Sequence, residues 1–206
     1  MDALGFGLLA SSALVIGGAL GSFWKPSSLV TGTMLAFASG TLISALAFEL
    51  FPEAVRLGGL RASGWGLLAA VTLDGVPENL ALGVSLAGEQ ASGGGSLVLL
   101  VAIFASNFPE ALVGAVAMRS VGRSAGYAVG LWGATAALLT LAVVVGRRAL
   151  INAQPSALAF PLAFAGGAVL ASLADTLMPE AFERGRPVSA LATAAGFYLS
   201  FVLAES

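Results

Sequence analysis

Long apolar runs dominate this chain and restrict what it can fold into. Seven of them follow one another, separated by short links that carry glycine, proline or charged residues. A helix needs about 20 apolar residues to cross a bilayer, and its backbone hydrogen bonds must be satisfied internally. We therefore predict one transmembrane domain over residues 1–206, an all-α bundle of about seven membrane-spanning helices. The predicted helices cover residues 3–23, 27–55, 64–87, 96–118, 125–145, 156–183 and 187–203.

The composition excludes several classes of function. Hydrophobic residues make up 58% of the chain and charged residues 10%, whereas soluble domains carry roughly 25% charged residues. There is no Cys and no His, which excludes disulfides, thiolate and imidazole metal ligands, and a Ser-His-Asp triad. No Lys/Arg stripe is present, so nucleic-acid binding is not expected. The start lacks a basic region, so we interpret it as the first helix and not as a cleaved signal.

The third and fourth apolar segments each contain a Pro-Glu motif in the middle of the run. Asp74 and Glu78 are four residues apart and therefore face the same side of a helix. Ser106 and Glu110 have the same spacing in the next segment. A carboxylate at the centre of a bilayer costs a few kcal/mol on insertion scales, so these positions indicate a functional site.

The prolines of the two motifs, Pro77 and Pro109, are predicted to kink their helices. Proline has no N–H, so it leaves the carbonyl of the residue four positions earlier without its helical partner. These carbonyls belong to Leu73 and Ala105. Freed carbonyls inside a membrane are tolerated where they line a cavity or meet a ligand.

Together the two segments predict a cage of oxygen atoms between antiparallel neighbouring helices, and a divalent cation is its natural complement. The alternative is that protonated carboxyl groups join the helices by hydrogen bonds. The predicted metal ligands are Asp74, Glu78, Ser106, Asn107 and Glu110.

The second and sixth segments form an internal repeat. Residues 36–54 align with residues 163–181 without a gap, and both stretches end in Pro-Glu-Ala. Internal repeats around a polar site at the membrane midplane are typical of secondary transporters. Four carboxylates of the repeat are candidate entry and exit groups or solvated helix ends: Glu49, Glu53, Asp175 and Glu180.

The distribution of basic residues predicts the orientation of a seven-span chain. One side would hold the N-terminus and six arginines, and the other side the C-terminus and three basic residues. The expected orientation therefore has the N-terminus in the cytoplasm and the C-terminus outside. The first group is Arg56, Arg61, Arg119, Arg123, Arg184 and Arg186, and the second is Lys25, Arg147 and Arg148.

These paired Pro-Glu motifs, flanked by two helices that end in Pro-Glu-Ala, resemble the ZIP (Zrt/Irt-like) divalent metal transporters from the second segment to the seventh. The resemblance implies that Asp74 replaces a histidine ligand and that Glu78 and Glu110 are the core glutamates. Ser106 stands at a further ligand position. Gly75 and Asn107 replace residues that help to hold a second metal in the family, and the fifth segment lacks a bridging carboxylate, which favours one metal ion per site.

The family usually has eight helices, and the link between Val55 and Gly64 leaves no room for its third one. Two alternatives remain open. The chain has seven spans, with the first two inverted relative to the family, or one helix of the family architecture is missing from the sequence.

The expected function is transport of a divalent metal by alternating access, in which the second and sixth segments slide. Oxygen ligands are harder than imidazole, so we expect Mn2+, Fe2+, Co2+ or Cd2+ beside Zn2+, the family's usual ion. No enzyme activity and no organic cofactor are expected. One alternative is a metal-sensing or structural module that binds without transport. Another is an aspartyl protease using Asp74 and Asp175, although its Gly-x-Gly-Asp sequence is absent.

The expected surroundings are a lipid bilayer, divalent metal ions and a prokaryotic cytoplasmic membrane. Gly-rich faces on the first and fifth helices would permit a homodimer.

Overall fold

The computed structural model describes residues 2–57, 76–86 and 95–204, and the regular structure in these ranges is helical. The described part contains seven continuous helices. They are α1 (Ala3–Phe23), α2 (Ser28–Leu57), α3 (Val76–Ser85), α4 (Gly95–Ser120), α5 (Ala125–Leu150), α6 (residues 155–185) and α7 (Ser189–Ala204).

Five of the described helices are long and apolar enough to cross a membrane, as expected of an integral membrane protein: α1, α2, α4, α5 and α6. Helix α7 is a shorter apolar helix. Apart from the third segment, of which residues 64–75 and 87 lie outside the described residues, the helices begin and end within a few residues of the predicted bounds. The helical character expected from the apolar runs is therefore confirmed for the described residues, and five of the seven described helices are candidate membrane spans.

Polar side chains and one glycine set where several helices begin and end. The carboxylate of Asp2 accepts a hydrogen bond from the N–H of Gly5 at 2.9 Å and caps α1. Ser27 and Ser124 cap α2 and α5 in the same way, because their hydroxyls accept from N–H groups that have no acceptor inside the helix. Between α4 and α5 the chain turns at Gly122, whose φ of 85° favours glycine.

Helices α2 and α6 each contain a π-helical segment, which the sequence did not predict. The segments are Leu46–Leu50 and Leu173–Leu177, and they occupy equivalent positions in the two aligned stretches. In the first, the N–H of Phe51 bonds to the carbonyl of Leu46, five residues back. A proline follows each segment closely and interrupts the i→i−4 hydrogen bonds of the α-helix. π-helical turns and prolines are both common at such interruptions.

Side-chain and backbone contacts define two ends of the bundle. Gly32 near the start of α2 is in backbone contact with Gly185 at the end of α6. Lys25, Ser120 and Arg184 line a common cavity, so the α1–α2 link, the end of α4 and the end of α6 lie together. We call this the basic end, and it carries Lys25, Arg119, Arg123, Arg184 and Arg186.

The opposite end, which we call the terminal end, contains Asp2 and the end of α3. The hydroxyls of Ser85 and Ser96 are 3.2 Å apart, and Arg147 Nε donates to the Leu86 carbonyl at 3.4 Å. These contacts bring the end of α3, the start of α4 and the last turn of α5 together.

Helix α7 runs parallel to α2 and so towards the terminal end. Thr193 lies against Gly40, and the ring of Phe201 stands 5.2 Å from that of Phe48, farther along both helices. Asp2 and Leu203 are therefore at the same end of the bundle.

The predicted alternation of seven spans is wrong at the third segment. Helix α2 starts at the basic end and finishes at the terminal end, and α3 finishes at the terminal end as well. The basic residues are therefore distributed differently from the prediction. Arg56, Arg147 and Arg148 share the end with Asp2, whereas Arg119, Arg123, Arg184 and Arg186 lie at the basic end with Lys25; Arg61 is outside the described residues.

Close helix packing depends on glycines that face each other. A Cβ at Gly40 of α2 would overlap the carbonyl of Thr193 on α7, and one at Gly196 of α7 would overlap the carbonyl of Phe37 on α2. Gly83 and Gly146 make a similar reciprocal contact between α3 and α5. Small residues let helix backbones approach in this way inside membranes, where hydrophobic burial gives little drive for association.

The packing divides the helices into two groups. Helix α1 packs on α4 and α5, and α2 packs on α6 and α7. Helix α3 joins the groups, because it contacts both α5 and α6, and α2 also contacts α4. The Pro-Glu motifs of α3 and α4 thus lie on helices next to the boundary between the two groups.

Candidate functional site

Glu78 is buried in the first turns of the described part of α3. It is 7% exposed, and the neighbouring Asn79 is fully buried. Burial of a carboxylate in an apolar bundle is costly unless a partner or ligand compensates it. Asn79 was not among the predicted ligands, although its position directly after Glu78 in the motif was a signal for it.

Two buried polar residues of α4 belong to the predicted cage. The hydroxyl of Ser106 donates to the Ile103 carbonyl at 3.0 Å within its own helix, which leaves its oxygen lone pairs as acceptors. The amide nitrogen of Asn107 donates to the Ala10 carbonyl of α1 at 3.4 Å. This bond holds α4 against α1, so a cation at Asn107 would have to use the amide oxygen.

Glu110, one turn beyond Ser106, is exposed. Pro109 is buried in the interior of α4, so it removes one intrahelical hydrogen bond from the Ala105 carbonyl, as predicted. Ala105 and Pro109 line an apolar groove of about 760 Å³, together with Phe37 of α2 and Ala192 of α7. The turn of α4 that lacks this hydrogen bond is therefore next to the α2–α7 pair.

Helices α3 and α4 are antiparallel and in contact, as the sequence predicted, but α3 packs more extensively on α5 and α6 than on α4. Asp74, the third predicted carboxylate of the cage, lies outside the described residues, as do Gly75 and the Leu73 carbonyl. Within residues 2–57, 76–86 and 95–204, no group of three acidic side chains is arranged to hold a metal ion.

The repeat carboxylate near the terminal end, Glu53, makes a bidentate ion pair. Arg56 Nε and one terminal guanidinium nitrogen each lie 2.6 Å from a different carboxylate oxygen. Glu53 is 8% exposed, whereas more than half of the Arg56 side chain is exposed. Glu53 is therefore a buried carboxylate with a cationic partner on its outer side, and the interpretation of a freely solvated helix end does not fit it.

The equivalent carboxylate of α6, Glu180, also pairs with an arginine of its own helix. Arg184 lies 2.9 Å from the Glu180 carboxylate, and both side chains are more exposed to solvent than Glu53. Because α2 and α6 run in opposite directions, the two pairs lie towards opposite ends of the bundle. The other two repeat carboxylates differ in exposure: Glu49 is half-buried and Asp175 is exposed. Arg56 and Arg184 were not predicted as partners, although a spacing of three or four residues on a helix is a usual signal for such pairs.

Comparison with models of known protein families gives no match, and comparison with curated proteins gives none either.

Proposed function

We propose that this protein moves divalent transition-metal ions across a membrane through a carboxylate site on α3 and α4. The observation that carries the proposal is the burial of Glu78 beside Asn79, inside a bundle of membrane-length apolar helices. An intramembrane carboxylate is expensive and is usually retained for function. The resemblance of the Pro-Glu motifs to those of ZIP transporters supports the same assignment.

The proposed cargo follows from the chemistry of the ligands. Glu78 and Glu110 supply carboxylate oxygens, Ser106 a hydroxyl, and Asn79 and Asn107 amide oxygens; Asp74 would complete the set. Such oxygen ligands suit harder ions than histidine or cysteine sites do. We therefore propose broad selectivity that includes Mn2+, Fe2+, Co2+ and Cd2+ as well as Zn2+.

Helices α2 and α6 are proposed to be an inverted repeat that opens the site to each side in turn. Their similar sequences, their opposite directions and their equivalent π-helical segments support this proposal. Transporters with inverted repeats alternate access by moving one bundle against the other. In this scheme Glu53 and Glu180 are carboxylates at opposite mouths of the path, and the arginine beside each competes with the incoming cation.

The basic end is proposed to face the cytoplasm of a prokaryotic cell. Five Lys/Arg residues lie at this end and three at the terminal end among the described residues, and positively charged links tend to stay in the cytoplasm. This reverses the orientation expected for seven alternating spans and puts both Asp2 and Leu203 outside.

The proposal is tested by metal flux into proteoliposomes. Wild-type protein is compared with the Glu78→Gln and Glu110→Ala variants for Zn2+, Mn2+, Fe2+ and Cd2+. Loss of a ligand should lower saturable flux on the order of 10–100-fold, as for other groups that support a metal site. The matched control is Glu183→Gln, an exposed carboxylate at the end of α6, and it should keep the wild-type rate.

Metal binding by the same variants separates transport from the other functions. If wild-type protein binds metal but gives no flux, the chain is a sensing or structural module. If it neither binds nor moves metal, Glu78 joins helices through hydrogen bonds and the proposal is wrong.

A further inference from the structure

A cavity at the basic end has the chemistry of an anion site with an apolar floor. It has a volume of about 320 Å³ and lies between the α1–α2 link, the last turns of α4 and the end of α6. Its cationic groups are Lys25 of the α1–α2 link and Arg184 of α6, and its floor includes Val113 and Val116 of α4. Three other cavities between described residues differ from it, because their linings contain no Lys or Arg.

The rim of the cavity has hydrogen-bond donors that are available to a ligand. Lys25 is exposed and makes no ion pair with any described residue. The guanidinium of Arg184 uses one nitrogen to contact Glu180 and has further N–H donors. Ser28, on the same rim, begins α2, where the first N–H groups of the helix also have no acceptor inside the helix.

The hydroxyl of Ser120 donates to the Ala117 carbonyl, so it can act only as an acceptor and contributes no donor. Glu180 balances one of the two positive charges. The rim therefore favours a single anionic group held by Lys25 together with neutral donors and the outer side of Arg184.

The position of the cavity points to a lipid as the source of this anion. It is at the end of membrane-length helices, and Lys25 on its rim directly follows Phe23 and Trp24 in the chain, which are 82% and 49% exposed. Exposed aromatic residues at helix ends mark the headgroup level of a bilayer. Basic pockets between helices at that level bind the headgroups of anionic lipids.

We propose that this cavity binds the phosphate of an anionic phospholipid, with its glycerol and upper acyl carbons on Val113 and Val116. The lipid would contact the α1–α2 link, α2, α4 and α6 at once and so connect the two groups of helices at the basic end. This inference does not depend on whether the chain moves metal.

The test is lipid retention measured by native mass spectrometry of the purified full-length protein. Phosphatidylglycerol should be retained more strongly than phosphatidylcholine. Lys25→Gln should weaken phosphatidylglycerol retention about fivefold, the size expected for one basic residue near a membrane surface. Val116→Trp should also weaken it, because the larger side chain fills the cavity while all charges remain.

The matched control is Arg123→Gln, which removes a charge from the same end but not from the cavity; Arg123 stacks on Tyr127 instead. It should leave retention unchanged. The proposal is overturned if the two lipids are retained alike, or if Arg123→Gln weakens retention as much as Lys25→Gln. It is equally overturned if inorganic phosphate alone displaces the lipid and binds with the same dependence on Lys25.

Discussion

Two arginine–glutamate pairs occupy equivalent helix ends, yet their burial differs. The carboxylate of Glu53 is almost fully enclosed and accepts two hydrogen bonds from Arg56, whereas Glu180 and Arg184 are joined by a more exposed contact. Removal of one member of a buried pair leaves a charge without compensation. Exposed pairs contribute little because water screens them.

Arg56→Gln should therefore destabilise the protein more than Glu180→Gln. We expect a loss of about 1–3 kcal/mol for Arg56→Gln, below the range for fully buried pairs because half of Arg56 is exposed. The loss for Glu180→Gln should stay below about 1 kcal/mol. Thermal unfolding of both purified variants in one detergent gives the comparison, and equal shifts would show that Glu53 is solvated like Glu180.

At the scale of helices, the pair α2–α7 depends on two glycines that leave no room for a side chain. Gly196→Ala should destabilise the protein by about 1–3 kcal/mol, the usual cost of overpacking, because the new Cβ would overlap the Phe37 carbonyl. A backbone atom cannot move aside as a flexible side chain can, so the two helices would have to separate. The melting temperature of the purified variant measures the effect.

Gly130→Ala on α5 is the matched control. Nothing lies within 4 Å of a Cβ at this position, so its effect should stay within about 0.5 kcal/mol, as for surface substitutions. A similar loss of stability in both variants would mean that the loss at Gly196 does not come from the α2–α7 contact.

Helices were largely predictable from the sequence because their apolar runs must match the thickness of a bilayer. The π-helical segments of α2 and α6 were not predictable. Nothing in the composition of Leu46–Leu50 distinguishes a turn that contains one added residue from a regular α-helical turn. The hydrogen bond from Asn107 to the Ala10 carbonyl was not predictable either, because it joins residues far apart in the chain.

Burial of Glu78 followed from the motif, but exposure of Glu110 did not. Four-residue spacing shows which side chains share a helix face and leaves open which neighbour covers that face. The direction of α3 was predicted wrongly for a related reason, because strict alternation of spans was assumed and the contacts of Ser85 and Leu86 contradict it.

At the scale of the whole molecule, the two ends of the bundle differ in charge and in the links they carry. The basic end holds the α1–α2, α4–α5 and α6–α7 links, and the terminal end holds Asp2, the α5–α6 link and Leu203. Because Asp2 and Leu203 share the terminal end, both should lie on the same side of the membrane. The excess of Lys and Arg at the basic end should keep that end in the cytoplasm.

Single cysteines can test this arrangement without background, because the chain has no Cys. Cysteines at Asp2 and at Asn152 of the α5–α6 link should react with a membrane-impermeant maleimide added outside intact cells. A cysteine at Val121, which is 77% exposed in the α4–α5 link, should react only after the membrane is opened. If Asp2→Cys and Val121→Cys are labelled from the same side, the assignment of the two ends is wrong. If the sides differ but Val121→Cys is the one labelled in intact cells, the helix directions hold and the charge asymmetry does not set the orientation.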